Sequence, residues 1–165
     1  MSMIKKKILF VCLGNICRSP SAEAVMKAKL EKHQLNDKYL IDSAGITGFH
    51  EGSPADHRMQ QHAFQRGYLL TSLSRPIQIP TDFYKYDHII AMDKENMSDL
   101  TALAPDNFNS EKLSKMTDYC THFTHDSVPD PYYGGAAGFE LVLDLLEDAC
   151  EGLIKKLESE WICFR

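Results

Sequence analysis

The sequence predicts an α/β fold with a parallel sheet that is covered by helices on both faces. Short apolar runs alternate along the chain with segments of helical periodicity, which is the pattern of a parallel sheet. The 165 residues, 44% of them hydrophobic and 25% charged, are enough for one core without disulfide staples. The chain has no internal repeat, low-complexity tract or flexible linker. We therefore predict a single domain over residues 1–165.

The first strand and the first helix enclose a short loop. Residues 8–12 form a continuous apolar run, typical of a strand that is covered on both faces, and Gly14 ends it. Ser19 precedes Pro20, which is the sequence of an N-cap followed by a proline at the first helical position. A helix is therefore predicted to begin just after Arg18.

A second strand and a second helix follow. Residues 39–43 alternate between buried and exposed types, as a strand does. Ser53 and Pro54 repeat the helix-start signal, with Asp56 in the first turn, and Gly67 provides a stop.

The second half of the chain continues the alternation. Residues 88–92 predict a strand and residues 93–104 a helix, whereas residues 107–135 are rich in turns, with one short strand near Leu113. The last helix is the clearest element, because apolar side chains recur every three to four residues over residues 139–157. Ligands of such sheets bind at the carboxyl ends of the strands, which is where the loop after the first strand lies.

Charge and cysteine content exclude several classes of function. The chain has 18 basic and 23 acidic residues, a formal net charge of −5, which argues against a nucleic-acid or anionic-membrane surface. Its apolar run near the N-terminus is too short for a signal peptide or a membrane span. The five cysteines are odd in number and widely spread. We therefore expect a cytoplasmic protein with free thiols.

The segment VCLGNICRSP, residues 11–20, has the composition of a phosphate-binding loop. Cys12 ends a strand and faces the N-terminus of the next helix, where unpaired N–H groups stabilise a thiolate. Arg18 carries a planar fork of donors that suits two oxygens of a phosphoryl group. Gly14 and Asn15 accept left-handed backbone angles, which allow successive N–H groups to surround an anion. A cysteine and an arginine at this spacing alone are more often structural, and the flanking strand, glycine and helix start favour the phosphate loop.

This loop resembles the C-x5-R-S signature of the low-molecular-weight protein tyrosine phosphatases. Other segments match the family in order and approximate spacing, namely residues 42–45, 54–56, 74–75, 91–93 and 128–132. The resemblance implies a four-stranded parallel sheet flanked by helices. It also implies hydrolysis of phosphotyrosine in proteins, without a metal ion or an organic cofactor.

The resemblance assigns roles residue by residue. It makes Cys12 the nucleophile, Arg18 the phosphate-binding arginine and Asp130 the general acid and base, which Pro129 and Pro131 would hold in a restricted backbone. The phosphate loop would consist of Leu13, Gly14, Asn15, Ile16, Cys17 and Ser19, and Ser19 would stabilise the leaving thiolate. Inorganic phosphate or other oxyanions would occupy the same loop.

Further positions support the loop or line the substrate slot in the family. Asn15 and Ser43 would hold the loop in shape, and Ser72 stands where many members have a histidine. The resemblance implies aromatic walls from Phe49, Tyr132 and Tyr133, with His50 beside them in a loop of variable composition. It also implies a reversible disulfide between Cys17 and the nucleophile, although a packed and inert Cys17 remains an alternative.

Three other interpretations compete with a phosphatase. Four metal-ligand types occur together at Cys120, His122, His125 and Asp126, but no second ligand pair follows, so we favour a surface loop. A thioredoxin-coupled arsenate reductase needs two further cysteines, and residues 72–104 contain none. A phosphate receptor or phosphoryl carrier would gain nothing from an acid such as Asp130. Substitution of Asp130 distinguishes the two: turnover should fall sharply for a hydrolase, whereas binding of phosphate should persist in either case.

Overall fold

The strands of a computed structural model of the chain, which describes residues 4–132 and 134–163, form one parallel sheet. Its members are β1 (Lys6–Cys12), β2 (Tyr39–Gly45), β3 (His88–Ala91) and β4 (Leu113–Lys115), in the order β2-β1-β3-β4. Strand β1 is therefore central, with β2 and β3 both parallel to it. Within the register, Cys12 lies opposite Gly45. The predicted four-stranded parallel sheet is confirmed.

Helices cover both faces of the sheet. Ile8 and Phe10 of β1 point to one face, where they join a core with the first and last helices. Leu9 and Val11 point to the other face and join a second core. The helices are α1 (Arg18–Lys32), α2 (His57–Gln65), α3 (Thr81–Lys85), α4 (Lys94–Leu103) and α5 (Ala136–Cys163), with 3-10 turns at Ser110–Lys112 and Met116–Tyr119. Helices α1 and α5 cover the first face, α3 and α4 cover the second, and α2 packs against α5.

Most predicted elements are present with small shifts at their ends. Strand β1 begins two residues before the apolar run, and α5 extends beyond the predicted residues 139–157 in both directions. The short strand expected near Leu113 is β4. Gly67, with φ of +89°, follows α2 and accepts the left-handed backbone of its C-terminal stop. Helix α3 was not predicted, because five residues are too few for a helical period.

Two predicted N-caps were wrong. Helix α1 begins at Arg18, with Cys17 at the capping position, so Ser19 already belongs to the helix. Its hydroxyl contacts Cys12 instead of capping. Helix α2 is capped by Asp56, whose carboxylate accepts hydrogen bonds from the N–H groups of Arg58 and Met59, and not by Ser53. A carboxylate at this position also interacts favourably with the helix dipole.

Across the two described ranges of the chain, no helix combines the length and the apolar character that crossing a bilayer requires.

Candidate active site

A pocket of about 280 Å³ opens at the carboxyl end of β1. Strand β1 ends at Cys12 and α1 begins at Arg18, so the five intervening residues form a loop between strand and helix. The pocket is lined by most of this loop and by four residues from elsewhere, namely Cys12, Leu13, Gly14, Ile16, Cys17, Arg18, Phe49, His50, Asp130 and Tyr132. The structure thus brings together the predicted nucleophile, arginine and acid.

The thiol of Cys12 lies against the first turn of α1. Its residue is only 3% exposed, and its Sγ is 3.0 Å from the Oγ of Ser19. The backbone N–H of Ser19 also donates to the sulfur, at 3.5 Å. A hydroxyl, an amide and a helix N-terminus at one sulfur all stabilise negative charge on it.

Asn15 holds the loop from within. It adopts φ of +57°, in the left-handed region that asparagine tolerates. Its Nδ2 donates to Ser19 Oγ at 2.7 Å and to Ser43 Oγ at 3.0 Å. Its Oδ1 accepts the backbone N–H of Arg75 at 3.0 Å. The side chain of Asn15 therefore links the loop to α1, to β2 and to the segment before α3.

The hydrogen-bond network ends at a buried carboxylate. Ser43 donates to Glu23 Oε1 at 2.6 Å, and Glu23 Oε2 pairs with Lys27 at 2.7 Å. Because the single proton of Ser43 goes to Glu23, its oxygen is an acceptor for Asn15. Asn15 in turn donates to Ser19, which leaves the Ser19 proton for Cys12 or, at a longer 3.4 Å, for the carbonyl of Ala44.

The carbonyl oxygens of the loop are held by the surrounding protein. The carbonyls of Cys12 and Leu13 accept the N–H groups of Ile46 and Thr47, and that of Ile16 accepts the N–H of Asp56. These bonds turn the oxygens away from an anion in the pocket. Chain packing is tight here, since a Cβ on Gly45 would lie 3.0 Å from the carbonyl oxygens of Leu13 and Thr47. A side chain at this point of β2 would push against the backbone of the loop.

The loop contact expected from Ser72 is made by Ser74. Ser74 is buried and its Oγ donates to the Gly14 carbonyl at 3.0 Å. In the part of the chain that the structure describes, the Ser72 side chain makes no hydrogen bond. Leu73, which lies between the two serines, forms an isolated bridge with Pro54. In extended backbone, Ser72 and Ser74 lie on the same side of the segment, two residues apart. The resemblance pointed to the correct segment and the wrong hydroxyl.

Arg18 is buried at the rim of the loop and held by three groups. Its Nη1 donates to Asp93 Oδ2 at 2.6 Å and to the Val128 carbonyl at 3.1 Å, and its Nη2 lies 3.9 Å from Asp130 Oδ2. Burial lowers the pKa of Arg18, but the neighbouring Cys12 and Asp93 raise it further, so the net shift is upward. The guanidinium is therefore a permanent positive charge in a fixed orientation beside the Cys12 sulfur.

Asp130 lies on the loop before α5. Its side chain is 44% exposed, and its Oδ1 accepts the N–H of Tyr132 at 3.0 Å. The N-terminal side of this loop is anchored to the sheet, because the N–H of Val128 donates to the Met92 carbonyl at 2.8 Å. A partly exposed carboxyl at the mouth of a pocket is accessible both to a leaving group and to water.

The predicted aromatic slot is present in part. Phe49 and Tyr132 line the pocket, and Phe49 is 88% exposed, so its ring stands at the entrance. His50 lies edge-on to Phe49 and above Gly14, with 3.0 Å between its Cδ2 and a Cβ built on that glycine. Tyr133 lies outside the described residues.

The remaining cysteines are in unlike surroundings. Cys17 lines the pocket but is 4% exposed, and burial, with Asp56 and Cys12 nearby, raises the pKa of its thiol well above the ordinary value. Cys17 is thus a neutral thiol, and a reversible disulfide with Cys12 stays a prediction. Cys150 is fully buried in the α5 core, as expected from its position on the apolar stripe. Among the side chains of residues 4–132 and 134–161, no three from His, Cys, Asp or Glu are grouped so as to hold a metal ion.

Sequence reasoning missed four contributors to this site. Glu23 and Lys27 looked like an ordinary helical pair at positions i and i+4, and Asp93 looked like a helix cap. Arg75 contributes its backbone N–H, and the identity of a side chain does not indicate which backbone groups reach a site. Asp93 and Arg75 lay in segments that matched the family, but their partners are distant in sequence: Arg18 is 75 residues from Asp93, and Asn15 is 60 residues from Arg75.

Comparisons with known proteins agree with this geometry. The family model described as low molecular weight phosphotyrosine protein phosphatase matches residues 7–161. A crystal structure of a protein tyrosine phosphatase from Entamoeba histolytica with Hepes in the active site is 51% identical. The match covers 94% of this chain and 99% of that chain, with a TM-score of 0.91.

Two further relatives are similar over almost their whole length. YfkJ of Bacillus subtilis, named a low molecular weight protein-tyrosine-phosphatase, is 38% identical over 93% of this chain and 96% of its own. Its crystal structure superposes with a TM-score of 0.89. A Drosophila structure titled arginine phosphatase is 33% identical, covers 92% of this chain and 97% of that chain, and has a TM-score of 0.85. The chain therefore belongs to the low molecular weight phosphotyrosine protein phosphatase family and is a phosphoric monoester hydrolase.

Proposed function

We propose that the protein hydrolyses phosphotyrosine in proteins, and small aryl phosphates, through a cysteinyl-phosphate intermediate. The observation that carries the proposal is that the thiol of Cys12, the guanidinium of Arg18 and the carboxyl of Asp130 line one pocket. A nucleophile, a fixed positive charge and an acid are the groups that transfer of a phosphoryl group to sulfur requires.

In the first step, the thiolate of Cys12 attacks phosphorus in line with the phenolic oxygen. A sulfur–phosphorus bond forms, the phosphorus–oxygen bond breaks, and Asp130 gives its proton to the leaving phenolate. Arg18 and the loop amides bind the equatorial oxygens. Because Asp93 and Val128 already hold Arg18, the guanidinium needs little reordering as charge develops.

In the second step, the carboxylate of Asp130 takes a proton from a water molecule that attacks phosphorus. The sulfur–phosphorus bond breaks, phosphate leaves, and the thiolate is regenerated. The Ser19 hydroxyl, 3.0 Å from the sulfur, stabilises the thiolate as it leaves. Inorganic phosphate and other tetrahedral anions would bind in the same loop, and the Hepes in the Entamoeba active site, a sulfonate, supports this.

The walls of the pocket favour an aryl substrate. Phe49 and Tyr132 provide apolar surface on which a phenyl ring can stack. The Drosophila relative titled arginine phosphatase has the same fold, so fold alone does not separate phosphotyrosine from phosphoarginine. The guanidinium group of phosphoarginine would stack on the same aromatic rings through a cation–π interaction, so the two substrates must be compared directly.

The first experiment is steady-state hydrolysis of p-nitrophenyl phosphate without added metal, with and without a chelator. We expect turnover that the chelator does not change, no turnover for Cys12→Ser and, with the more basic leaving group of phenyl phosphate, kcat/KM reduced by about 10²–10³ for Asp130→Asn. Cys120→Ser controls for the loss of a thiol, since Cys120 lies outside the pocket. Activity retained in Cys12→Ser would place the nucleophile elsewhere.

Two further outcomes test the finer assignments. Phosphate binding without turnover would make the loop a receptor or carrier site. Peptides that carry phosphotyrosine or phosphoarginine at one position give the preference as a ratio of kcat/KM values, and a ratio in favour of phosphoarginine would overturn the substrate class. Cytoplasmic location remains a prediction, which fractionation of cells that produce the tagged protein would test.

A further inference from the structure

Arg58, on the first turn of α2, is joined to the loop that carries Asp130. Its Nη2 donates to the backbone carbonyl of Tyr132 at 2.9 Å. Its guanidinium carbon also lies 5.5 Å from the centre of the Tyr132 ring and 4.9 Å from that of Phe139 in α5. One side chain therefore contacts the backbone of the loop, an aromatic wall of the pocket and the helix that follows.

The contact reaches Asp130 through one residue. The N–H of Tyr132 donates to Asp130 Oδ1 at 3.0 Å, while the carbonyl of Tyr132 accepts from Arg58. Both polar backbone groups of Tyr132 are thus restrained, one by the carboxyl and the other by Arg58. A shift of the Tyr132 backbone would move the carboxyl that its N–H holds.

The two sides of the loop have different anchors. On the N-terminal side, Val128 is bonded to Met92 through its N–H and to Arg18 through its carbonyl. On the C-terminal side, Arg58 holds the carbonyl of Tyr132. Arg58 is itself held in place, because Asp56 caps α2 and lies 3.5 Å from the Arg58 Nε.

We propose that Arg58 is a positioning residue for Asp130, which it acts on through the backbone and ring of Tyr132. This proposal rests on the proposed function, in which Asp130 protonates the leaving phenolate. Arg58 does not line the pocket and so has no direct part in binding the phosphoryl group. Its effect should therefore depend on how much the leaving group needs a proton.

The test measures kcat/KM for a series of aryl phosphates whose leaving phenols differ in pKa. A phenol of high pKa needs the acid, whereas a strongly acidic phenol leaves without it. For Arg58→Gln we expect a loss of roughly tenfold for the most basic phenols, a part of the ~10²–10⁴ that general acid catalysis contributes. For the most acidic phenols the loss should stay below about twofold. Arg58→Lys, which keeps one donor, should recover part of the loss.

Arg66→Gln is the matched control. Arg66 also joins α2 to α5, through Glu140, Asp144 and Glu147, but it does not contact Tyr132. Its loss should lower thermal stability and leave the dependence on the leaving group unchanged. If Arg58→Gln and Arg66→Gln lower kcat/KM equally for every substrate, Arg58 is a structural residue and the proposal fails.

A double variant separates the two proposals. When Arg58 acts through the carboxyl, Arg58→Gln has no further effect on the leaving-group dependence of Asp130→Asn. Effects that multiply in the double variant would overturn the role of Arg58. If Asp130→Asn alone shows no dependence on the leaving group, the acid assignment fails first, independently of Arg58.

Discussion

The Nη1 of Arg18 lies 2.6 Å from Oδ2 of Asp93, and the other oxygen of Asp93 caps α4 by accepting the N–H of Asn96 at 2.7 Å. One oxygen of the Asp93 carboxylate therefore holds Arg18, and the other caps α4. Asp93 comes two residues after the end of β3, the neighbour of β1 in the sheet. This contact fixes the orientation of the Arg18 guanidinium relative to the sheet.

Substitution of Asp93 by asparagine should weaken phosphate binding with little loss of stability. Asparagine caps a helix as well as aspartate does, but it removes the negative charge that holds Arg18. We expect the inhibition constant of inorganic phosphate to rise about tenfold, which corresponds to ~1.4 kcal/mol. Thermal unfolding of Asp93→Asn and Asp93→Ala provides the control, because only alanine loses the cap. An unchanged inhibition constant in Asp93→Asn would mean that the Val128 carbonyl is enough to orient Arg18.

Glu23 should influence catalysis although it does not line the pocket. Its carboxylate accepts the hydrogen bond of the Ser43 hydroxyl, so the Ser43 oxygen accepts from Asn15, which also donates to Ser19. A glutamine can donate to Ser43 instead and turn the Ser43 proton towards Asn15, which weakens the hold of Asn15 on Ser19 and so on the hydroxyl beside Cys12. We expect kcat for p-nitrophenyl phosphate to fall about fivefold in Glu23→Gln, near 1 kcal/mol.

Lys27→Met is the control for this prediction. Lys27 pairs with Glu23, but its side chain is 54% exposed, and exposed ion pairs contribute little. We expect kcat to stay within about twofold of the wild-type value. Equal losses in Lys27→Met and Glu23→Gln would show that charge near the network, rather than its direction, affects the rate.

The first strand, the phosphate loop and the last helix follow directly from the sequence. Each depends on a local pattern: the apolar residues of β1, the CLGNICRS segment, and the apolar stripe of α5. The interactions that complete the site are not local. Ser19 has the sequence context of a cap, and it contacts Cys12 only because β1 and α1 meet across the loop.

Other features of the site require the tertiary structure for the same reason. Ser72 and Ser74 have the same side chain, so the sequence does not tell which of them reaches the Gly14 carbonyl. Ser74 reaches it in the structure, where the bridge between Leu73 and Pro54 sets the position of this segment. The contact from Arg58 to Tyr132 spans 74 residues and depends on how α2 packs on α5. Patterns that extend over a few residues contain no information on such pairs.

Asp148 should make stability depend on pH in acid. It is 7% exposed on α5, and its carboxylate accepts the N–H groups of Thr121, His122 and Phe123. Burial raises the pKa of this carboxyl, but the three N–H donors together lower it further, to about 2, against an ordinary 3.8. The ionised form thus contributes ~2 kcal/mol above about pH 4, and this is lost as pH falls towards 2.

Urea unfolding of Asp148→Asn between pH 7 and pH 2 measures this contribution. The variant should be less stable than wild type at pH 7, and the difference should shrink between pH 4 and pH 2. Asp37→Asn, at an exposed position, should show no such convergence. A stability difference that is constant with pH would mean that Asp148 contributes through packing and not through the charge of its carboxylate.

Gly152 should not tolerate alanine, although alanine normally favours a helix. A Cβ at this position of α5 would lie 1.9 Å from the carbonyl oxygen of Tyr119, so one of the two backbones must move. We expect Gly152→Ala to cost about 1–3 kcal/mol and to lower Tm by about 2–12 °C.

Gly138→Ala is the matched control on the same helix. Its nearest contact would be 3.8 Å, from Pro131, which is an ordinary van der Waals distance. Alanine there should raise stability by up to about 1 kcal/mol through helix propensity alone. If both variants are stabilised, α5 and the turn that contains Tyr119 can separate without cost.

Cys12 ends the central strand, and its sulfur is hydrogen-bonded by the hydroxyl and the N–H of Ser19, whereas Phe49 and Tyr132 belong to two separate surface connections. The proposed nucleophile and the aromatic walls of the pocket therefore lie on different parts of the chain. Substitutions in residues 46–52 should change the range of substrates without disturbing the attack on phosphorus. In this arrangement an enzyme can acquire a new protein target while it keeps its reaction.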